Sequence, residues 1–333
     1  MTLLAKVAGG ICLGALLFGV TDAFAACRPV GPIDRIEINR QALASLQIWG
    51  VDRQLVFDTL KVISTFETEG CWGGASGDFD DQIVSAGALQ WNFGKGSLQR
   101  ALQNYRTRMG DQFDGAIAQL MRTTNSVVFS KDCLEYARRE ACRRRIYGSA
   151  RGQDLPAVYK EEFDNLFNSD DMIQIQMDGF VGLVQGVRDD IKRLFADRPV
   201  TVRRLAWAVD SKVQMENPFP DNALIARVRE KWEKVVENEG EAGQKRRLLA
   251  LVDWYQGLAR SVDQDGVRND VEYNAKTWKD IVEKGVDAET AELLNFTYVV
   301  SRTLSGKNGL YQADAFQRRA KVALGKGSVH GHR

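Results

Sequence analysis

The sequence predicts a mainly α-helical protein. It has six prolines in 333 residues and long stretches rich in Leu, Ala, Glu, Lys, Arg and Gln, a composition that favours helix. One segment shows the helical period directly, because Leu55, Val56, Leu60, Ile63 and Phe66 fall near helical spacing on one face.

In chain order, the first element is an export signal. Met-Thr-Leu-Leu-Ala-Lys precedes an apolar run over 7–20 and then small residues at Ala23 and Ala25, the pattern of a signal peptide, residues 1–25, cut after Ala25. The run is shorter than the roughly 20 apolar residues that a membrane helix needs, and no later segment approaches that length. A periplasmic or secreted protein is expected, with no stable membrane span after signal removal. An uncleaved anchor and a lipid on Cys27 are alternatives. Against the lipid, Phe24 stands where such sites favour an aliphatic residue.

Processing leaves Cys27, Cys71, Cys133 and Cys142. An even number in a chain bound for an oxidising compartment predicts two disulfides, with three possible pairings. CLEYARREAC contains no Gly or Pro and reads as helix. A continuous helix would hold Cys133 and Cys142 about 13 Å apart, beyond bridging distance. Either that helix breaks, or these two cysteines pair with Cys27 and Cys71.

Helices are predicted over 36–46, 53–66, 98–108, 131–145, 173–195, 200–213, 221–236, 245–262, 288–304 and 313–324. The second places Glu67 at the end of a buried helix. GCWGGASGDFDD follows at 70–81, dense in residues that favour turns, so 70–84 is expected as a loop or small hairpin, with Ser97 capping the next helix. NEGEAG, 238–243, is the best candidate linker. No internal repeat is visible. With 45 Lys and Arg against 44 Asp and Glu, nothing draws the whole chain to nucleic acid, and the basic runs at 137–145 and 244–249 read as solvated helix faces.

The chemistry concentrates between Glu67 and Asn92. A carboxylate ending an apolar helix and others on a polar, glycine-rich loop are the two settings that glycoside hydrolysis uses for its acid and base. Glu67 and the group Asp78, Asp80 and Asp81 supply both settings. The plainer reading is a solvated or calcium-binding loop.

The order of residues goes further. FET followed by DFDDQIVSAGALQWN resembles the lysozyme-like superfamily, in which a helix-terminal Glu precedes a short loop and a Ser/Thr-x-Gly-x-x-Gln segment. It resembles most the chitosanase and phage-endolysin-like branch of glycoside hydrolases, whose loop reads Asp-Gly-Gln-Gly-x-Ser-x-Gly-Ala-Leu-Gln-Trp-Asn. Asp80, Gln82, Ser85, Gly87, Ala88, Leu89, Gln90, Trp91 and Asn92 match, whereas Asp81 and Ile83 stand where that pattern has Gly. LAWAVDSKVQMENP, 205–218, resembles the branch's Asp-x-x-x-Gln core helix at Asp210 and Gln214. RRAKVALGKGSVHG, 318–331, resembles its closing segment. The resemblance implies a lysozyme-like helical fold and a single catalytic unit over 26–333, within which 126–197 matches nothing.

Carried over residue by residue, the resemblance makes Glu67 the general acid and Asp80, thirteen positions on, the general base. Ser85 would orient a water or a sugar hydroxyl, and Gln90 and Asn92 would line the cleft. Gly87 would admit substrate to the backbone or simply make a turn. Asp210 and Gln214 join them on the substrate side. Glu69 is the reserve acid; Asp78 and Asp81 are reserve bases, and Asp81 adds a like charge beside Asp80. An acid and base about 6.5 to 9.5 Å apart leave room for a water and invert the anomeric centre. The resemblance favours that outcome, although lytic relatives manage with one Glu.

Other patterns are weaker. The 262–272 stretch brushes a calcium-loop pattern with glycine at the wrong offset and reads as a turn. His330 and His332 lack ligand partners, so no metal or cofactor is expected. Disulfides account for the cysteines without a thiol protease. Trp72 and Trp91 suit either a sugar platform or the core. The expected function is hydrolysis of β-1,4 linkages in an amino-sugar polymer, peptidoglycan ahead of chitosan, although the acidic DFDD mildly favours the cationic polymer. The other class is an inactive lysozyme-like protein that binds glycan or an envelope partner. Oligomeric state is not readable from the sequence.

Overall fold

Asp52 starts the helix that carries the candidate acid: its side chain accepts the Leu55 N–H at 2.8 Å, satisfying one of the donors that a helix N-terminus leaves unpaired. In the computed structural model, which describes residues 27–78, 81–196, 198–215, 222–262, 264–303, 309–329 and 331, this helix is α2 (Arg53–Glu67). It buries Val56, Phe57, Leu60, Ile63 and Phe66 and ends on Glu67. Before it, α1 (Arg40–Gln47) starts later than predicted because Asn39 caps it, accepting from Gln41 and Ala42. The expected signal segment, Asp80, His330 and His332 lie outside the described residues.

After α2 the chain forms a small antiparallel sheet, β1 (Ala75–Ser76), β2 (Ser85–Ala86) and β3 (Trp91–Asn92), in that order. Ala75 pairs with Ala86, and Ala86 with Trp91. Strand alternation therefore gathers these three on one face and Ser76, Ser85 and Asn92 on the other. Ser97 does not cap the next helix, α3 (Ser97–Met109). Gly96 occupies the cap in a left-handed conformation, and the Ser97 hydroxyl binds back to Asn92, accepting its N–H at 2.8 Å.

The predicted helix over 131–145 is broken. After α4 (Phe113–Leu120) and the single turn α5 (Asn125–Val128), the chain makes α6 (Lys131–Leu134), a 3-10 turn at Tyr136–Arg138, and α7 (Arg139–Tyr147). The break brings Cys133 and Cys142 into a disulfide, their Cα atoms 4.6 Å apart, and Cys27 pairs with Cys71. That second bridge leaves Cys27 no thiol for a lipid. Two disulfides fit an oxidising compartment.

The helices α8 (Ala157–Phe167), α9 (Asp170–Gly186) and α10 (Arg188–Phe195) complete the middle region, the predicted 173–195 helix being jointed at Val187. The remainder is α11 (Val202–Met215), α12 (Asn222–Leu258), α13 (Asp265–Lys284), α14 (Ala288–Thr303) and α15 (Leu310–Leu324). The expected linker NEGEAG is reduced to a kink: α12 is two helical stretches that meet at Gly240, whose φ of 59° and ψ of −154° are not helical. The stretch expected as a turn at 262–272 enters α13 from Asp265 onward. Its Asp, Asn and Gly suggest a turn, but the same short polar residues also initiate helices. Tyr255, Trp278 and Phe316 stack where α12, α13 and α15 meet, with Tyr255 and Phe316 rings 4.8 Å apart.

Two apolar clusters result. One holds Ile83, Val84, Ala86 and Phe93 with α3, α7 and α8; the larger holds α2 and α11 to α15. Helix α9 serves both, giving Met172 and Ile175 to the first and Ile173, Met177 and Phe180 to the second. Among the described residues no helix is long and apolar enough to cross a membrane.

The Cys27–Cys71 bridge closes 44 residues and Cys133–Cys142 only 9. Loop-closure entropy assigns them about 4 and about 3 kcal/mol. Urea denaturation of the two double Ser variants is expected to show a loss in both and the larger loss for Cys27/Cys71; a reversed order would show that the bridges act by native-state packing.

Candidate active site

The Glu67 carboxylate accepts a hydrogen bond from Arg318 Nη2 across 251 residues of sequence. The same guanidinium reaches Asp210 Oδ1 through Nε at 3.0 Å and Nη2 at 2.7 Å and lies 5.2 Å from the Phe66 ring centroid. Glu67 comes from the end of α2, Asp210 from α11 and Arg318 from α15. Three segments widely separated in the sequence thus meet at one carboxylate.

Arg319 extends the network. It donates to Ser211 Oγ at 2.7 Å and Gln214 Oε1 at 2.9 Å, and Gln214 Nε2 donates to Asp314 Oδ2 at 2.9 Å. Asp210 is 1% exposed and Arg319 fully buried, so these charges lie where an unpartnered ion would be costly. Burial alone would pull Arg318 down, but Asp210, Glu67 and Asp314 hold it well above the usual arginine value. Burial draws Arg319 below that value, Asp210 opposing and Arg318 reinforcing.

The sheet loop is shaped by backbone conformation. Asp81 and Ile83 have φ of 60° and 69°, and these are the two positions where the resembled pattern has glycine. Both residues are held in the left-handed conformation with side chains present, at a cost of about 1–3 kcal/mol each. Ile83 is fully buried, donates its N–H to Asp78 Oδ1 at 3.0 Å and accepts from Tyr147 Oη at 2.6 Å. At Gly87, φ is 79°, and a Cβ would stand 2.2 Å from Phe167 and 2.5 Å from Gln176. Its missing side chain lets the turn press against α8 and α9.

The polar residues of the loop bind one another. Ser85 Oγ donates to Gln82 Oε1 at 2.6 Å. Gln90 accepts from Ser76 Oγ at 3.2 Å and donates to the Gly87 and Gly74 carbonyls, and Asn92 Oδ1 accepts the Lys95 N–H at 2.8 Å. Of the reserve residues, Asp78 is buried in an ion pair with Arg143. Asp81 is exposed, 3.3 Å from Arg143 and 3.2 Å from Arg151. Glu69 is exposed with φ at 56°. Trp72 is fully buried, and the Trp91 ring packs on Gly179 of α9, so both tryptophans serve packing.

Sequence reasoning missed Arg318, Arg319 and Arg143. The two adjacent arginines inside the apolar AFQRRAKVAL carried a signal, since a helix face that apolar has no solvated side for both. It also missed Asp164 on α8, which meets the Gly74 and Ala75 backbone. Among the described residues no group of three or more His, Cys, Asp or Glu could hold a metal ion. A polar cavity of about 370 Å³ between α4 and α8 includes Glu162, whose oxygens are committed to the Thr123 and Thr124 N–H groups and the Thr124 hydroxyl. Comparison with family models, with curated proteins and with solved structures finds no match for the chain.

Truncating Arg318 to Ala would strand Asp210 inside the protein, and a loss of about 3–5 kcal/mol is expected in urea denaturation. Pairing Arg318→Met with Asp210→Asn should recover part of it. Burial raises the Asp164 carboxyl to about 6, with Lys160 and the Gly74 and Ala75 backbone opposing. The folded state therefore keeps this proton longer than the unfolded chain, so the contribution to stability is full below about pH 4 and disappears as pH rises through about 6. Thermal denaturation between pH 4 and 7 should show Asp164→Asn gaining on the parent across that window; parallel curves would disprove the assignment.

Proposed function

We propose that the protein is a glycoside hydrolase of lysozyme-like type that cleaves β-1,4 linkages in an amino-sugar polymer, peptidoglycan ahead of chitosan, in the periplasm or outside the cell. The observation that carries this reading is the convergence of Glu67, Asp210 and Arg318. Retention of glycine-type backbone at Asp81 and Ile83 supports it from the loop side. Peptidoglycan is placed first on the export signal, and the pairing of Asp78 with Arg143 and of Asp81 with Arg143 and Arg151 reduces the acidic field that DFDD offers a polycation.

In this reading Glu67 gives its proton to the glycosidic oxygen as the bond to C1 breaks. Asp80 takes a proton from the water that attacks C1. Arg318 and Asp210 fix the Glu67 carboxyl in direction, so that its rotamer is set before substrate arrives.

Reducing-end release by the mature protein and by Glu67→Gln, on purified peptidoglycan and on chitosan, tests this directly. The parent is expected to act on peptidoglycan, and the variant to lose about a hundredfold or more while keeping its circular dichroism spectrum. Equal release by both proteins removes Glu67 from the chemistry. Release by neither, with folding and disulfides intact, favours the inactive, glycan-binding class.

A further inference from the structure

Arg143 stands on α7, in the region that resembles no pattern, yet its guanidinium is buried against the sheet loop. It meets Asp78 through Nη1 and lies 3.3 Å from Asp81 through Nη2. The same stretch grips the loop elsewhere. Tyr147 Oη donates to the Ile83 carbonyl at 2.6 Å, Gly152 N–H to Asp78 at 3.3 Å, and Asp78 N–H to the Gln153 carbonyl at 2.9 Å. Cys142, the neighbour of Arg143, is tied to Cys133, so the clasp is itself cross-linked.

What it grips would not keep its shape unaided. Asp81 and Ile83 sit at positive φ, a region that residues other than glycine leave unless their surroundings hold them there. Between them, Gln82 accepts the Ser85 hydroxyl, so the shape imposed at Asp81 and Ile83 is passed to a residue of the candidate site.

We propose that Arg143 is a positioning residue for the glycan-cleaving site: through Asp78 and Asp81 it fixes the loop that turns Gln82 toward substrate, with Ser85 buried behind Gln82 and bonded to it. This rests on the hydrolase reading above. Arg143 touches no reacting atom. Its planar fork meets three carboxylates, Asp78, Asp81 and, through Nε, Glu140 at 3.3 Å, which the single ammonium of lysine does not reproduce.

Asp78→Asn combined with Arg143→Met removes both charges of the buried pair together and leaves no stranded ion; Arg143→Lys is the conservative companion and carries the test if the pair fails to fold. Peptidoglycan hydrolysis is resolved into kcat and KM, and hydrogen exchange at the Ile83 amide reports on the loop without chemistry. The paired variant is expected to keep the protection of its core helices, to exchange Ile83 faster, and to lose about a hundredfold in kcat with KM little changed. Arg143→Lys should recover part of both. Unchanged exchange at Ile83, or faster exchange with parental kcat, overturns the proposal. Should the parent release nothing, the hydrolase reading falls by itself and exchange alone decides: faster exchange upholds Arg143 as the clamp, and unchanged exchange overturns it.

Discussion

Arg318 carries a positive charge where water does not reach it. A guanidinium does not shed its proton in a protein, so its burial requires anionic partners already in place. Asp210 on α11 is the buried anion, and a Glu67 oxygen at the end of α2 accepts a further hydrogen bond from the same guanidinium, so α2, α11 and α15 are held in one mutual register. Arg319, one residue on, points around α15 to Ser211 and Gln214, so the pair reads two sides of the neighbouring helix. From Gln214 the bonds continue through Asp314, Gln317, Tyr255 and Asn274 to the Ser328 carbonyl. The closing segment of the chain is thus joined to Glu67 by polar contacts that pass through Arg319, Asp210 and Arg318.

The loop follows a different logic. A glycine takes a left-handed conformation without steric cost, whereas aspartate and especially β-branched isoleucine do not. The chain keeps that conformation at Asp81 and Ile83 with two separate means: Ile83 is buried in the smaller cluster, and the Asp81 carboxylate lies beside two arginines. Side chains supply from outside the loop what glycine would have supplied from within it. A residue other than glycine can therefore hold a left-handed backbone where burial and charge supply the constraint.

This explains which features were legible in the sequence. The helical character, the end of α2 at Glu67 and the turn-rich stretch after it all follow from local preference, and local preference is what a sequence displays. The broken helix at Glu135 was half legible, because the cysteine spacing required either a break or other partners, and only tertiary structure chose. Helix α13 was misread because its first residues carry turn chemistry, although Val271, Ala275, Trp278 and Val282 mark a buried face. The site was legible as residue types and not as contacts. Nothing local in RRAK names Asp210, and nothing in DFDD shows that two of its carboxylates face arginines from α7 and the segment after it.

The division of the core sets the final constraint. Glu67 and its partners stand on α2, α11 and α15, whose apolar faces form the larger cluster, whereas Ile83 and Val84 of the loop lie in the smaller one. Any chemistry shared between them depends on the junction, and that junction is mostly α9. Gln176 of this helix accepts the Ala88 N–H at 2.8 Å and donates to the Phe167 carbonyl at 3.0 Å, while the Trp91 ring lies on Gly179 and packs against both clusters. Gly87 presses into the same place, between Phe167 and Gln176. Several matched loop residues, Gly87, Ala88 and Trp91, are therefore the ones that seat the sheet on α9. That helix also packs against α2, so the sheet and the helix end that carries Glu67 rest on one common support, and a substitution at Gly87 or Gly179 would disturb the loop through α9 and not through its own hydrogen bonds.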